Sequence, residues 1–218
     1  VDKARTITIT AESVREGMER KWSQGVFTPQ MLRAWGEAGE MGKVLESVPV
    51  VTAWRAAMAQ AERGNYTFKV PKHHPRNPSN EPDAIEAEAL AKLSTGEVDE
   101  YHVIDTEMNA VRYFLPVRLA QSCMICHGDP ATSLELWGND EGLDLTGGRM
   151  EGWEVGEVHG AFEVVQSLES ADAETTTALA WGGALVLAGL LASAGAFSWV
   201  IRRNVEAPIG TTATGLRA

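Results

Sequence analysis

The chain has 218 residues, of which 44% are hydrophobic, which suits one globular domain with additional segments and excludes wholesale disorder. The formal net charge is -11, and because residues 202–218 contribute +2, residues 1–201 carry -13. Residues 1–201 are so acidic that they repel the phosphate backbone of a nucleic acid, and we therefore exclude nucleic acid as a partner.

Helical periodicity dominates the first third of the chain. Ile7, Val14 and Met18 recur at helical spacing and predict a helix over residues 4–25, which ends at a glycine. Apolar spacing, a proline near one start and flanking glycines predict three further helices, over residues 28–48, 49–64 and 84–93.

Strand-like segments occupy the middle and the end of the acidic body. A proline- and asparagine-rich loop over residues 71–83 cannot be helical. Around it and after it, four segments have strand character, the second and third forming a hairpin: residues 66–70, 100–105, 111–120 and 159–168. Helices packed on an antiparallel sheet predict an α+β domain over residues 1–170.

The two cysteines of the chain stand in the sequence Cys123-Met124-Ile125-Cys126-His127. C-x-x-C-H is the attachment signature of c-type haem. Two thiols at this spacing reach the vinyl groups on one edge of a haem, and the next residue then lies beneath the iron, where an imidazole nitrogen binds it. We therefore predict one covalent haem c on Cys123 and Cys126, with His127 as the proximal iron ligand.

The cysteine pair has three other readings. A disulfide between Cys123 and Cys126 is short and strained and leaves His127 without a role. A thioredoxin-type pair needs a strand-to-helix turn in a βαβ unit, which the predicted elements lack. A zinc site needs two more ligands at matching spacing, and the chain has no further cysteine.

Residues 175–201 contain no charged residue, and this run is long enough to cross a bilayer. Trp181 and Trp199 lie near its two ends, where aromatic rings favour the lipid interface. Arg202 and Arg203 follow it, so the positive-inside tendency places the C-terminal end in the cytoplasm. We expect a transmembrane helix in a bacterial inner membrane, with residues 1–174 in the periplasm; a buried core helix is the other reading.

Three separated stretches, over residues 68–90, 123–153 and 156–168, carry a family resemblance: FKVPKHHPRNPSNEPDAIEAEAL, CMICHGDPATSLELWGNDEGLDLTGGRMEGW and GEVHGAFEVVQSL. Together they resemble the DUF3365 (Tll0287-like) haem-containing sensor domain, especially its version in bacterial methyl-accepting chemotaxis proteins. The resemblance implies a PAS-like fold, a periplasmic haem c domain between two membrane helices with the first before Val1, a homodimer, and a downstream chemotaxis or kinase signalling module.

The tail over residues 202–218 resembles the start of a HAMP linker. Pro208 follows the membrane segment, and Ile209 and Leu216 stand seven apart, as a coiled-coil seam requires. One heptad also suits a frayed tail, and both readings stay open.

The sixth position of the iron separates an electron-transfer haem from a gas-binding one. The resemblance implies a distal ligand from the N-terminal helical region. Met41, between Gly39 and Gly42, is the first candidate, although a core or surface methionine is the plainer reading. Met31 and Met58 are weaker candidates.

The sequence also predicts roles for several other polar residues. Arg76 suits a two-point contact with a haem propionate, and Asn77 and Asn80 suit hydrogen bonds within their own loop. The alternative is that all three only build the loop. The remaining histidines are expected to be solvated or structural: His73, His74, His102 and His159.

Two functions follow from these residues. The first is a sensor, in which a redox change or a gas at the iron is signalled across the membrane through the HAMP-like linker. The second is a monohaem electron-transfer subunit of a membrane complex, with partner redox proteins. A third, binding of a small organic ligand with a structural haem, ranks last. Neither a phosphate loop nor a recognisable Ser/His/Asp motif is present, so we expect no enzyme activity.

Overall fold

The computed structural model describes residues 1–206, which fall into two compact units, Val1–Leu168 and a second one that begins at Glu169. Three residues of the predicted HAMP-like linker lie outside the described part of the chain, namely Pro208, Ile209 and Leu216.

Helices and four strands build the first unit. The α-helices are α1 (Asp2–Ser23), α2 (Pro29–Glu37), α3 (Met41–Ser47), α4 (Pro49–Met58), α5 (Ala61–Gly64), α6 (Ala84–Thr95), α7 (Met124–His127) and α8 (Ser133–Trp137). The strands are β1 (Thr67–Lys69), β2 (Tyr101–Asp105), β3 (Ala110–Arg118) and β4 (Val158–Ser167). Single 3₁₀ turns occupy Pro78–Asn80, Gln121–Cys123 and Pro130–Thr132.

The single helix predicted over residues 28–48 is wrong, because the chain forms α2 and α3 there with a break between them. Gly39 adopts a φ of 73°, a left-handed conformation that ends α2 and that side chains with a Cβ rarely adopt. The prediction over residues 49–64 also merged two helices, α4 and α5, and Asn65 ends the second with a φ of 49°.

The strands form one antiparallel sheet in the order β1-β4-β3-β2. The predicted hairpin is confirmed as β2 and β3, with Asp105 opposite Ala110. Strand β4 comes last in the first unit yet lies in the middle of the sheet, between β1 and β3. The predicted α+β class is therefore confirmed.

Helices cover both faces of the sheet, so β3 and β4 are buried almost throughout. On one face, α1 and α4 pack over Phe68, Tyr113 and Phe162. On the other, α6 packs over Phe114 and Ala161. Burial on both faces explains why these central strands read as near-continuous apolar runs.

A cluster of charged groups interrupts the α6 face. Four carboxylates surround two cations there: Asp83, Glu86, Asp105 and Glu163 around Lys69 and Arg112. Nε of Arg112 donates to Oε1 of Glu163 over 2.6 Å, and the side chains of Glu86 and Glu163 are 1% and 0% exposed. Burial, followed by the hydrogen bond with Glu86, raises the pKa of Glu163 to about 8.

The second unit contains α9 (Glu169–Ile201), which continues as a π-helical turn over Arg202–Glu206. Among the described residues, this is one helix with the length and apolar composition needed to cross a membrane. It begins six residues before the charge-free segment over 175–201 that predicted it.

We predict that Glu163→Gln removes a pH dependence of stability. The pKa of Glu163 is higher in the folded chain than its ordinary value of 4.5, so the folded state holds the extra proton. That stabilisation is complete below pH 4.5 and is lost as the pH rises towards 8, at up to about 1.4 kcal/mol per pH unit. Glutamine keeps a donor towards Glu86 at every pH.

Urea unfolding of the full chain in detergent at pH 5 and at pH 8.5 measures this effect. We expect Glu163→Gln to be close to the wild type at pH 5 and more stable than it at pH 8.5. Glu88→Gln, at an exposed site on α6, is the matched control. A difference between variant and wild type that does not vary with pH contradicts the assignment.

Candidate functional site

The C-x-x-C-H segment forms two consecutive helical turns after β3. A 3₁₀ turn over Gln121–Cys123 leads directly into α7. Residues three apart on a helical turn lie on the same side, and both Cys123 and Cys126 line one cavity together with His127. Both thiols are free. Gly128 follows α7 directly. A side chain would not fit at this position, because a Cβ there would lie 2.6 Å from the carbonyl oxygen of Met124.

The cavity has a volume of about 260 Å³ and one wall that is entirely apolar. That wall comes from α2, α3 and α4 and consists of Leu32, Val44, Leu45, Val48, Pro49, Val50 and Val51. A wider groove of about 810 Å³ adjoins it, and the two share Trp22, Ser122 and Ile125. The site is thus an apolar pocket with an open side next to the motif.

A carboxylate holds the imidazole of His127. Nδ1 of His127 lies 2.8 Å from Oε2 of Glu151. Burial opposes the charge of Glu151, but hydrogen bonds with His127 and Arg76 outweigh it and lower the pKa of Glu151 to about 2. An ionised carboxylate can only accept, so Nδ1 carries the hydrogen and Nε2 keeps its lone pair for a metal.

Arg76 is the centre of a hydrogen-bond network around the motif. Its Nε donates to Oε1 of Glu151 over 2.7 Å, and one terminal nitrogen donates to the carbonyl oxygens of Cys126 and Arg149. Its other terminal nitrogen pairs with Asp144, whose side chain is 1% exposed. Arg76 lines the cavity, but these partners occupy its guanidinium. Contact between Arg76 and a haem propionate stays a prediction.

Asp144 and two glycines shape the loop that contacts the guanidinium of Arg76. Oδ1 of Asp144 accepts from the backbone nitrogens of Thr146 and Gly148. Gly147 has a φ of 78°, and a Cβ on Gly148 would lie 2.6 Å from a terminal nitrogen of Arg76. The stretch Thr146-Gly147-Gly148 therefore leaves room for the guanidinium.

The structure does not bring the candidate methionines to the cavity. Met41 begins α3, whose contribution to the lining comes from Val44 and Leu45, while Met31 and Met58 are exposed. No methionine is among the described residues that line the cavity. The distal-ligand role of Met41 stays a prediction.

The remaining predicted residues have separate places. Oδ1 of Asn77 accepts from the nitrogen of Ser79, as expected of a loop-building asparagine, and Asn80 accepts from the nitrogen of Lys72 through its carbonyl oxygen. His102 stacks on Tyr113 in the hairpin, with ring centroids 6.4 Å apart. His73 and His74 belong to the loop and do not line the cavity.

Sequence reasoning missed two residues of the cavity, His159 and Lys72. The ring of His159 lies 4.8 Å from that of His127, centroid to centroid, whereas the sequence predicts only a structural role for His159. Burial, and then the charges of His127 and Lys72, lower the pKa of His159 to about 3. No local pattern of the sequence marks both residues, because the pairing of β4 with the segment after β1, which brings Gly160 opposite Lys72, joins distant parts of the chain.

The alternative readings of the cysteine pair lack support in the described residues. Neither Cys123 nor Cys126 forms a disulfide. All strand pairs of the sheet are antiparallel, so the motif does not lie in a βαβ unit. Within residues 1–206, no group of three or more histidine, cysteine, aspartate and glutamate side chains is arranged to hold a metal ion.

Fold and site define a class: an α+β domain whose C-x-x-C-H segment lines an apolar cavity, followed by a helix of membrane-spanning length. The chain belongs to the Tll0287-like family, whose model matches residues 1–167. Among solved structures it is similar to a chain titled as the crystal structure of the cyanobacterial heme-protein Tll0287. The identity is 23%, the TM-score is 0.41, and the match covers 53% of this chain and 70% of that one. No curated protein matches.

We predict that Arg76→Ala destabilises the first unit by about 3 kcal/mol, because it leaves the buried carboxylate of Asp144 without its cation. Urea unfolding of the chain expressed without haem measures this loss. Arg118→Ala is the matched control, since Arg118 is exposed and makes one hydrogen bond, of 3.4 Å, to Gly156; we expect it to cost less than about 0.5 kcal/mol. Equal losses in the two variants contradict the role given to Arg76.

Proposed function

We propose that the first unit binds one haem c covalently through Cys123 and Cys126, with His127 as the proximal ligand. The observation that carries the proposal is that both thiols and the imidazole line one largely apolar cavity. Membership of a family that includes a protein titled a heme-protein supports it. When bound, the haem supplies an iron that changes between the ferric and ferrous states and can take a small ligand.

The residues of the cavity suit such a group in three ways. The thiols stand on one side of a helical turn, as two thioether bonds to one porphyrin edge require. Nε2 of His127 is left with its lone pair by the bond between Nδ1 and Glu151. The wall from α2–α4 is aliphatic and matches the apolar face of a porphyrin.

We propose further that the domain is a sensor of redox state or of a small neutral gas. Aliphatic side chains such as Leu32, Val44 and Val48 cannot ligate iron, and the other described lining residues include no methionine. A haem whose iron received no strong ligand from these side chains would be able to bind NO or CO. Strand β4 carries His159 next to His127 and leads along the chain into α9, a covalent route from the site to the membrane segment.

The second candidate is an electron-transfer subunit. One observation favours it: no residue of α7 is fully buried, and the groove that shares Ile125 with the cavity opens beside the motif. A haem edge near the surface suits electron exchange with a partner redox protein. In both cases we propose the periplasm for the first unit, the bacterial inner membrane for α9, membrane lipid as its surroundings and a homodimer. The sensor also needs a chemotaxis or kinase module after a HAMP-like linker.

Spectroscopy of the purified full chain, expressed with the haem-attachment machinery, tests the proposal. We expect a mass increase of one haem that survives denaturation and is absent from Cys123→Ala/Cys126→Ala. We also expect a CO adduct of the ferrous protein, unchanged in Met41→Ala. A chain without haem contradicts the assignment as a haem domain. A six-coordinate ferrous spectrum that CO does not alter contradicts the gas sensor and favours the electron carrier.

We predict that Glu151→Gln raises the reduction potential of the haem by about 60 mV or more. A carboxylate at Nδ1 strengthens the imidazole as a donor and favours the ferric state, and a neutral amide does so less. About 60 mV corresponds to a tenfold change in the one-electron equilibrium. Spectroelectrochemical titration measures the shift, and Glu154→Gln, on the exposed part of the same loop, is expected to leave the potential unchanged. A shift of equal size in both variants contradicts the specific role of Glu151.

A further inference from the structure

We propose that Lys72 is the binding residue for an anionic carboxylate inside the cavity, and that this carboxylate is a propionate of the haem. The inference rests on the proposed function, which supplies the haem, and it assigns to Lys72 a role that the sequence suggested for Arg76.

The backbone of Lys72 is held firmly at the cavity wall. Its nitrogen donates to the carbonyl oxygen of Asn80 over 3.2 Å, and it forms a bridge with Gly160 next to β4 residue His159. Gly160 permits this approach, because a Cβ there would lie 2.7 Å from Cβ of Lys72. The side chain is half-buried and lines the cavity beside His127 and His159.

The other two cations of the cavity are already paired. Arg15 forms ion pairs with Glu12 and Glu19 on α1. Arg76 is occupied by Asp144, Glu151 and two carbonyl oxygens.

Lys72 differs from both arginines. Within residues 1–206, its ammonium group has neither a hydrogen bond nor an ion pair. Burial, and then the charge of Arg76, lower the pKa of Lys72, so an anion placed beside it relieves an unfavourable charge.

The surroundings select the kind of anion. Asp144, the one carboxylate among the described lining residues, is not free for Lys72, because Arg76 and loop nitrogens occupy it. Glu151, whose charge raises the pKa of Lys72, is held by Arg76 and His127. Around Lys72 the wall also contains Val70 and Val117, which suit a flat apolar ligand. A haem joins such a body to two carboxylates on the edge away from its vinyl groups. Lys72 stands beside β4, on a different segment from Cys123 and Cys126, and its cation can pair with a carboxylate of this edge.

The test separates the carboxylate from the rest of the haem. In the full chain with Cys123→Ala/Cys126→Ala, haem binds without thioether bonds and its affinity can be titrated. The probes are haem and its dimethyl ester, which has the same ring without the anionic carboxylates. We expect Lys72→Met to weaken haem binding at least tenfold and to leave binding of the ester unchanged, since a charge-assisted hydrogen bond to a carboxylate is lost only with haem.

Two further variants serve as controls. Lys72→Arg keeps the cation and is expected to retain the preference for haem over the ester. Lys92→Met removes a lysine on α6 that pairs with Glu88 and lies outside the cavity, and it is expected to change neither affinity. Circular dichroism shows that each variant is folded.

The possible failures are distinct. A haem-to-ester preference that Lys72→Met leaves unchanged, or an equal loss for both probes, overturns the inference while the haem assignment stands. Absence of haem even from the chain with both cysteines overturns the proposed function. If only the double-alanine variant takes up no haem, Lys72→Met is made in the covalently loaded chain. Infrared difference spectra are then expected to show a raised propionate pKa, and an unchanged one overturns the inference.

Discussion

The guanidinium of Arg76 joins parts of the chain that are fifty or more residues apart in sequence, and the candidate site depends on it. It donates hydrogen bonds to the carbonyl oxygen of Cys126 and to the carboxylate of Glu151, and it forms an ion pair with the buried carboxylate of Asp144. Glu151 in turn orients His127. The C-x-x-C-H segment and the residues after it form only short helical turns, so these charge-assisted hydrogen bonds add to the order that the turns provide.

The sheet supplies the rigid support for this arrangement and contains a second cluster of buried charges. Helices cover both faces, which leaves the carboxylates of Glu86 and Glu163 without water next to Arg112. Two cations cannot neutralise four carboxylates, and a proton on Glu163 reduces the imbalance. Strand β4 holds both features, with His159 at the site and Glu163 in the cluster, and it is the last element before α9.

The walls of the cavity bear on the choice between the two proposed functions. A sensor of neutral gases needs an iron with a vacant or weakly held position, whereas a simple electron carrier is served by a strong second ligand. The wall from α2–α4 is aliphatic, and no methionine is among the described residues that line the cavity. Lys72, the one lysine or arginine of the cavity lining with neither a hydrogen bond nor an ion pair among the described residues, lies on the part of the wall next to β4.

The sequence by itself determined what depends on neighbours along the chain. The spacing Cys123-x-x-Cys126-His127, the charge-free run over 175–201 and the two strand-like segments of the hairpin are local patterns, and each predicted its element or chemistry. Only the tertiary structure decided the partners of those residues. The sheet pairing that brings Lys72 opposite Gly160, and the network from Arg76 to His127, join distant segments, and local periodicity contains no information on such pairs.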